Sequence, residues 1–143
     1  MRGQEISNND DIIDSRDVIG RLEELESELS YLEDKLTEAE NVHDKDKAGE
    51  AGKEWYEENG EELKVLRALA EEGEGYSEWT YGATLIRDSF FTDYARDLAE
   101  EIGCIKKSDR WPYTCIDWEK AADELKHDYV TLDYDGVEYW IRA

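Results

Sequence analysis

A regular row of apolar side chains near the N-terminus constrains the fold more than any other feature of the sequence. Its members follow one another at alternating intervals of four and three residues, over about three heptads. They are Val18, Leu22, Leu25, Leu29, Leu32, Leu36 and Ala39. Because an α-helix makes one turn in about 3.6 residues, this spacing puts all of them on one helical face. The sequence therefore predicts a long amphipathic helix whose apolar seam packs against another helix.

Two partners for this seam are consistent with the sequence. A second helix is expected at about 53–72, because Gly49 and Gly52 are expected to end or bend the first one. In one arrangement that second helix folds back on the seam as an intramolecular hairpin. In the other, two chains pair through a dimer seam formed by Val18, Leu22, Leu25, Leu29, Leu32 and Leu36. We expect a homodimer, and the two arrangements can coexist.

Charge and aromatic content divide the chain into unequal parts. Residues 1–75 hold 24 acidic and 9 basic residues, whereas residues 76–143 hold 15 and 8 and also eleven of the fourteen Trp and Tyr. The division predicts a disordered tail at 1–10, an acidic helical coiled-coil arm at 11–75, and a small α+β domain at 76–143. The expected fold class is α+β and mostly α.

The C-terminal part carries clear local signals for secondary structure. Apolar residues at helical spacing predict a helix over about 90–102 that stops at Gly103, and Asp117 is expected to cap a shorter helix. Asp135-Gly136 between alternating residues predicts a β-hairpin that pairs Tyr134 with Val137. One face of this hairpin is expected to cover the helices, and the other is expected to be solvated.

This C-terminal part also resembles a module found in small proteins of bacteriophages and other mobile elements. The resemblance covers about 60 residues and is carried by IRDSFFTDYARDLAEEIG, the Trp111-Pro112 loop, IDWEKAADELK and DYDGVEYWIR. It implies a phage or mobile-element origin rather than a particular reaction. Small acidic proteins of such elements include inhibitors of restriction and CRISPR systems, so the resemblance also implies a role against host defence.

No motif in the sequence predicts catalysis, a metal site or a cofactor. His43 and His127 lie outside any catalytic motif, and no glycine-rich phosphate loop or HExxH sequence is present. Cys104 and Cys115 lack the spacing of a zinc site and are expected to be small buried thiols. The sequence lacks a membrane-spanning apolar run and a secretory signal, so we expect a cytoplasmic protein that is not an enzyme.

The acidity of the chain predicts the chemistry of its partner. A net charge of −22 opposes direct binding to nucleic acid or to an anionic membrane, because both carry negative charge. It favours a protein with a basic surface, such as a host-defence nuclease or a CRISPR effector, which the arm would block by DNA mimicry or steric competition. The partner-binding carboxylates are expected to be Glu23, Glu24, Glu26, Glu33, Asp34, Glu57, Glu58, Glu61 and Glu62.

Two tryptophans, Trp111 and Trp140, are expected to serve as aromatic anchors, since such side chains dominate many interfaces. They also suggest an alternative function. In that alternative the chain is a dimeric coiled-coil adaptor, its C-terminal module docks a protein partner through an exposed aromatic face, and the charge is incidental. Reversing the charge of the Glu cluster separates the two hypotheses, because only the mimic would lose activity.

Overall fold

The computed structural model describes residues 5–143 and confirms the predicted fold class, with 63 % of the chain helical. The elements, in chain order, are β1 (Ile12–Asp14), α1 (Ser15–Glu38), α2 (Val42–Gly73), α3 (Trp79–Gly82), β2 (Thr84–Arg87), α4 (Phe91–Glu101), α5 (Trp118–Leu125), β3 (Tyr129–Tyr134) and β4 (Val137–Arg142). Single 3₁₀ turns precede α4, α5 and β3. The long N-terminal helical region and the C-terminal strand pair therefore match the predicted architecture.

A four-stranded antiparallel sheet lies between two helical layers. Its strand order is β1-β2-β4-β3. Successive side chains of a strand point to opposite faces, so Leu85 joins the core shared with α1 and α2, whereas Ile86 joins a second core with α4 and α5. The α1–α2 hairpin thus packs on one face of the sheet and the α4–α5 pair packs on the other.

The predicted apolar seam of α1 is occupied by the chain's own second helix. Val18, Leu25 and Leu29 are buried in one cluster with Leu63 and Leu66 of α2. Leu22 and Leu32 are half-buried, and Leu36 is 47 % exposed. In the described structure the inner seam positions are therefore contacts of the intramolecular hairpin, and a parallel dimer through them would require the hairpin to open.

Helix α2 begins earlier than the sequence indicates. Asn41 caps it, since its side-chain oxygen accepts a hydrogen bond from Asp44 N at 2.8 Å. The prediction that Gly49 and Gly52 end a helix is wrong, because both lie inside α2. Each glycine costs an exposed helix only about 1 kcal/mol relative to alanine. Helix α2 is therefore about 48 Å long, at about 1.5 Å per residue.

Residues 5–10 are held against the sheet, so the predicted disordered tail is wrong for this segment, and residues 1–4 lie outside the described residues. Ser7 N donates a hydrogen bond to Asp10 Oδ2 at 2.9 Å. The Tyr139 hydroxyl donates to the carbonyl of Asp10, and Arg87 Nε donates to the carbonyl of Asn8 at 2.9 Å. Strand β1 follows this segment directly and pairs with β2, and neither strand was predicted from the sequence.

The predicted separation between an arm at 11–75 and a domain at 76–143 does not correspond to a break in packing. Leu66 of α2 and Ile141 of β4 belong to the same apolar cluster. At the junction, Ser15 Oγ donates to the carbonyl of Trp79 at 2.6 Å and accepts from Ala83 N at 2.7 Å. The Trp79 ring lies so close to Gly73 that a Cβ there would be 2.3 Å from Cε3.

The C-terminal hairpin has the predicted register. Tyr134 pairs with Val137, and one face of the strands packs on the α1–α2 hairpin. The other face was expected to be solvated, and that expectation is wrong for its aromatic residues. Tyr129 and Trp140 contact Phe91 of α4, with ring centroids 5.3 and 5.7 Å from that of Phe91. Helices α4 and α5 cover this part of the sheet.

Candidate partner-binding surface on the helical hairpin

The α1–α2 hairpin has a base and a tip that differ in burial. We define the base as residues 15–29 and 55–73, and the tip as residues 30–54. The base supplies the buried seam, whereas no residue of the tip is buried. Leu36 is 47 % exposed and Val42 is 75 % exposed. The tip extends about 20 Å beyond the base, at about 1.5 Å per residue over its α2 segment, without contributing a buried side chain.

A regular line of carboxylates runs along the outer face of α2. It comprises Asp46, Glu50, Glu54, Glu57 and Glu61, at intervals of four, four, three and four residues. We call these five residues the α2 carboxylate row. All of them are exposed. The row lies opposite the buried face, because Glu57 is nine residues from Leu66 and each residue advances the helix by about 100°.

The spacing of the row can be compared with that of a nucleic acid. Fifteen residues separate Asp46 from Glu61, which corresponds to a rise of about 22 Å. The row therefore presents one carboxylate per roughly 5.6 Å, whereas one strand of duplex DNA presents one phosphate per about 3.4 Å. Lys53 lies beside the row and reduces its net charge. The row is a linear anionic surface of lower charge density than DNA.

The row includes two of the carboxylates predicted from the sequence, Glu57 and Glu61, and the predicted Glu58 is exposed beside it. Asp46 and Glu50 were missed because the second helix was expected to start at about 53, whereas Glu54 lies inside the expected helix and was not selected. The regular spacing of acids between 46 and 61 is the signal that could have found them, once the intervening glycines are allowed inside a helix.

The remaining predicted carboxylates do not join this row. Asp34 is nine residues from the buried Leu25, so it lies on the outer face of α1, as does Glu23. Since α1 and α2 pack through their inner faces, their outer faces point away from each other. Glu33 is exposed on α1 as well. The nine predicted carboxylates are therefore spread over several sides of the hairpin.

Three of the predicted carboxylates pair with arginines of the hairpin itself. Arg21 donates from Nε and Nη2 to the two carboxylate oxygens of Glu62, both at 2.8 Å, and from Nη1 to Glu24 at 3.1 Å. Its side chain is 12 % exposed, and hydrogen bonding to Glu62 raises the pKa of the guanidinium above its ordinary value. Arg67 Nε donates to Glu26 Oε1 at 3.1 Å. The Arg21–Glu62 and Arg67–Glu26 pairs join α1 to α2.

The two predicted aromatic anchors lie in different environments. Trp140 is half-buried, donates from Nε1 to Asp88 Oδ1 at 2.9 Å, and has Lys126 Nζ 4.9 Å from its ring centroid. It is therefore a packing residue of the α4–α5 layer rather than part of an exposed aromatic face. Trp111 is 80 % exposed on the segment between α4 and α5. Only Trp111 of this pair presents most of its surface to solvent.

The cysteines flank the segment that carries Trp111. Cys104 follows α4 and Cys115 ends the 3₁₀ turn before α5, and both are exposed free thiols. The expectation of two buried thiols is wrong, because this segment lies outside both apolar clusters. Among residues 5–143, no three His, Cys, Asp or Glu side chains are grouped so as to hold a metal ion. Within that range no helix combines the length and apolarity needed to cross a bilayer.

Comparisons with known proteins identify no relative of this chain. No family model matches it, and neither a curated protein nor a solved structure does. The surface chemistry of the hairpin is therefore the main guide to function.

Proposed function

We propose that this protein is a non-enzymatic inhibitor whose α2 carboxylate row occupies the nucleic-acid-binding surface of another protein. The observation that carries the proposal is the row itself, in which Asp46, Glu50, Glu54, Glu57 and Glu61 are exposed along one helical face. A surface built to hold phosphates carries lysines and arginines, and their field attracts a line of carboxylates.

The proposed target is a nucleic-acid-binding complex of host defence, either a restriction nuclease or a CRISPR effector. Two features support this choice. We infer a phage or mobile-element origin from the sequence of the C-terminal part, and the net charge of −22 exceeds the magnitude of about 2–8 that keeps a small domain soluble. An inhibitor that a mobile element supplies against its host fits both features.

Inhibition would combine electrostatic and steric competition. The hairpin tip consists of two helices, each about 10–12 Å across with its side chains, so it can enter a groove that a nucleic acid also enters. The base connects the tip to the sheet, and Arg21 and Glu62 join its two helices. The affinity would fall with rising salt, because screening weakens contacts between exposed charges.

A pair of charge-matched variants tests the proposal. The row variant carries Asp46→Asn together with Glu50, Glu54, Glu57 and Glu61 each changed to Gln. The control variant carries Asp109→Asn together with Glu101, Glu119, Glu124 and Glu138 each changed to Gln, all of them exposed and outside the hairpin. Both variants lose five negative charges, so they differ in the position of the neutralised groups and not in total charge.

The measurement is the plating efficiency of a restricted phage on bacteria that carry a restriction or CRISPR system and express one of the three proteins. We expect the wild type and the control variant to raise plating efficiency, and the row variant to lose most of that effect. Equal protection by both variants, or no protection by the wild type against any member of a panel of such systems, contradicts the proposal.

A second candidate function, the adaptor, is favoured by one observation, the exposure of Trp111. In this candidate the segment between α4 and α5 docks a protein partner, and the carboxylates serve solubility. The covered position of Trp140 removes it from the docking surface. Trp111→Ala distinguishes the candidates, because it would abolish the activity of an adaptor and leave that of an acidic competitor nearly unchanged.

A further inference from the structure

A cleft opens where strands β2 and β4 part. The two strands pair at Ile86–Trp140 and at Arg87–Tyr139. The same register would place Thr84 opposite Arg142, but no pairing extends to that position. A cavity of about 520 Å³ lies there, within the range of about 300–1,000 Å³ that is usual for small-molecule sites.

The walls of this cleft combine two aromatic rings with several polar groups. Tyr94 of α4 and Tyr129 of β3 contribute the rings, and both are half-buried. The polar side chains that line it are Ser77, Glu78, Thr84 and Arg142. A few polar groups converging beside aromatic surface are the usual composition of a ligand site.

The cationic group of the cleft has no carboxylate partner among the described residues. Arg16, Arg21, Arg67 and Arg96 each form an ion pair with a nearby acid, and Arg142 forms none. Arg87 and Arg110 also form no ion pair with a described residue, but neither of them lines this cleft. The charge of Arg142 also reaches the phenol of Tyr129, whose pKa it lowers against the stronger effect of burial.

The two tyrosines line the cleft together. Burial is the main cause that raises the pKa of Tyr129 above its ordinary value, and its interaction with the Tyr94 hydroxyl raises it further. The tyrosine pair therefore supplies a protonated phenol that can donate a hydrogen bond to a ligand oxygen.

We propose that this cleft binds a small organic carboxylate with a flat apolar body. The carboxylate pairs with the Arg142 guanidinium and accepts a hydrogen bond from the Tyr94–Tyr129 pair, while the body lies against the tyrosine rings. Glu78 also lines the cleft and disfavours a second negative charge on the ligand. This site is separate from the α2 carboxylate row, so a test of ligand binding here does not depend on the inhibitor proposal.

Three probes test the chemistry of the site in the full-length ¹⁵N-labelled protein. Benzoate supplies a carboxylate on a flat ring, benzamide is its neutral counterpart, and inorganic phosphate supplies an anion without an apolar body. We expect benzoate to shift the amide resonances of residues 77–84, 94, 129 and 142 in a saturable manner. Benzamide and phosphate should each bind at least about tenfold more weakly, since each lacks one of the two required features.

Two variants test the residues. Arg142→Gln should weaken benzoate binding at least about tenfold, and Tyr94→Phe should weaken it several-fold. Arg110→Gln removes an exposed arginine from the segment between α4 and α5 and is expected to bind benzoate like the wild type. Amide spectra that are unchanged away from the cleft verify that each variant is folded.

Several results would overturn the assignment. These are the absence of saturable shifts at the cleft with benzoate, equal binding of benzoate and benzamide, and unchanged binding in Arg142→Gln. Tighter binding of phosphate than of benzoate would overturn the choice of an organic monoanion.

Discussion

The base and the tip of the α1–α2 hairpin belong to the same two helices, but only the base has a buried interior. Leu25 and Leu66 are fully buried in the base, whereas Leu36 at the same seam in the tip is 47 % exposed. The base rests on the sheet, and the tip extends past it. Heptad spacing thus indicates a helix and its apolar face, while burial of that face depends on a third layer beneath it.

The two regions also use their charges differently. In the base, Arg21 pairs with Glu62 and Arg67 pairs with Glu26, so carboxylates link the helices. In the tip, no ion pair joins any of the described residues 30–54. Glu57 and Glu61 of the row lie in the base, but none of the five row residues forms an ion pair with another described residue. Charge that does not hold the fold together is available for a partner, which is why we assign the row to recognition.

The largest expected difference between the regions comes from one substitution made at two seam positions of α1. Leu25→Ala in the base should lower the free energy of unfolding by about 3 kcal/mol, because it removes buried methyl groups and leaves a cavity. Leu36→Ala in the tip should lower it by less than about 1 kcal/mol. Urea denaturation of both variants measures the difference, and equal losses would break the comparison.

Replacing two glycines of α2 by alanine should change the stability of the protein in opposite directions. Gly73→Ala in the base should destabilise the protein by about 2 kcal/mol, because the new Cβ would meet the buried Trp79 ring. Gly52→Ala in the tip should stabilise it by about 0.5–1 kcal/mol, since no atom lies within 4 Å of the new Cβ and alanine favours helix. Thermal unfolding would show a lower melting temperature for the first variant and a higher one for the second.

Alkaline pH should destabilise the layer on which the base rests. Burial raises the pKa of Tyr134 and of Tyr139 to about 12, above the ordinary value of 10.0. The folded state therefore holds both protons more tightly than the unfolded state does. This stabilisation is complete below about pH 10 and is lost as the pH rises towards about 12, by about 1 kcal/mol per tyrosine near pH 11.

Urea unfolding at several alkaline pH values measures this effect. Tyr134→Phe should remove part of the pH dependence, because phenylalanine keeps the ring and has no proton to lose. A free energy of unfolding that stays constant between about pH 9 and 11 would contradict the burial of these phenols.

The smallest expected difference in stability is between substitutions of two adjacent carboxylates of α2. Glu62→Gln should lower the free energy of unfolding by about 1 kcal/mol, because it weakens the two hydrogen bonds to Arg21. Glu61→Gln should leave stability unchanged within about 0.5 kcal/mol, since Glu61 is exposed in the row. Chemical denaturation resolves the pair, and a larger loss in Glu61→Gln would show that the row has a structural role.

Local sequence signals, such as turn residues and helical spacing, predicted the helices and the C-terminal hairpin. The C-terminal turn was predictable because Asp135 and Gly136 both adopt positive φ, at 49° and 84°, as a two-residue hairpin turn requires. The β1–β2 pair was not predictable, because its two strands are far apart in the sequence and very short. Ile12 pairs with Ile86, and the strands have three and four residues. Such short strands form only when distant segments meet.

The candidate surface was predictable only where a local helical pattern is visible in the sequence. Glu57 and Glu61 lie in a segment whose helical pattern is evident from the sequence, whereas Glu50 lies between two glycines that suggested a break. The covered position of Trp140 follows from the docking of α4, which is a tertiary event. Residue spacing therefore indicated which side chains share a face, and the structure determined which faces stay exposed.

Displacement of DNA from a purified target tests the central claim most directly. Fluorescence anisotropy would follow a labelled duplex bound to a restriction nuclease or CRISPR effector as the wild type, the row variant or the charge-matched control is added. We predict that the wild type and the control displace the DNA, that raising the salt weakens their binding at least about tenfold, and that the row variant fails to displace it. Displacement by the row variant at the wild-type concentration, or wild-type binding that is insensitive to salt, would contradict the account.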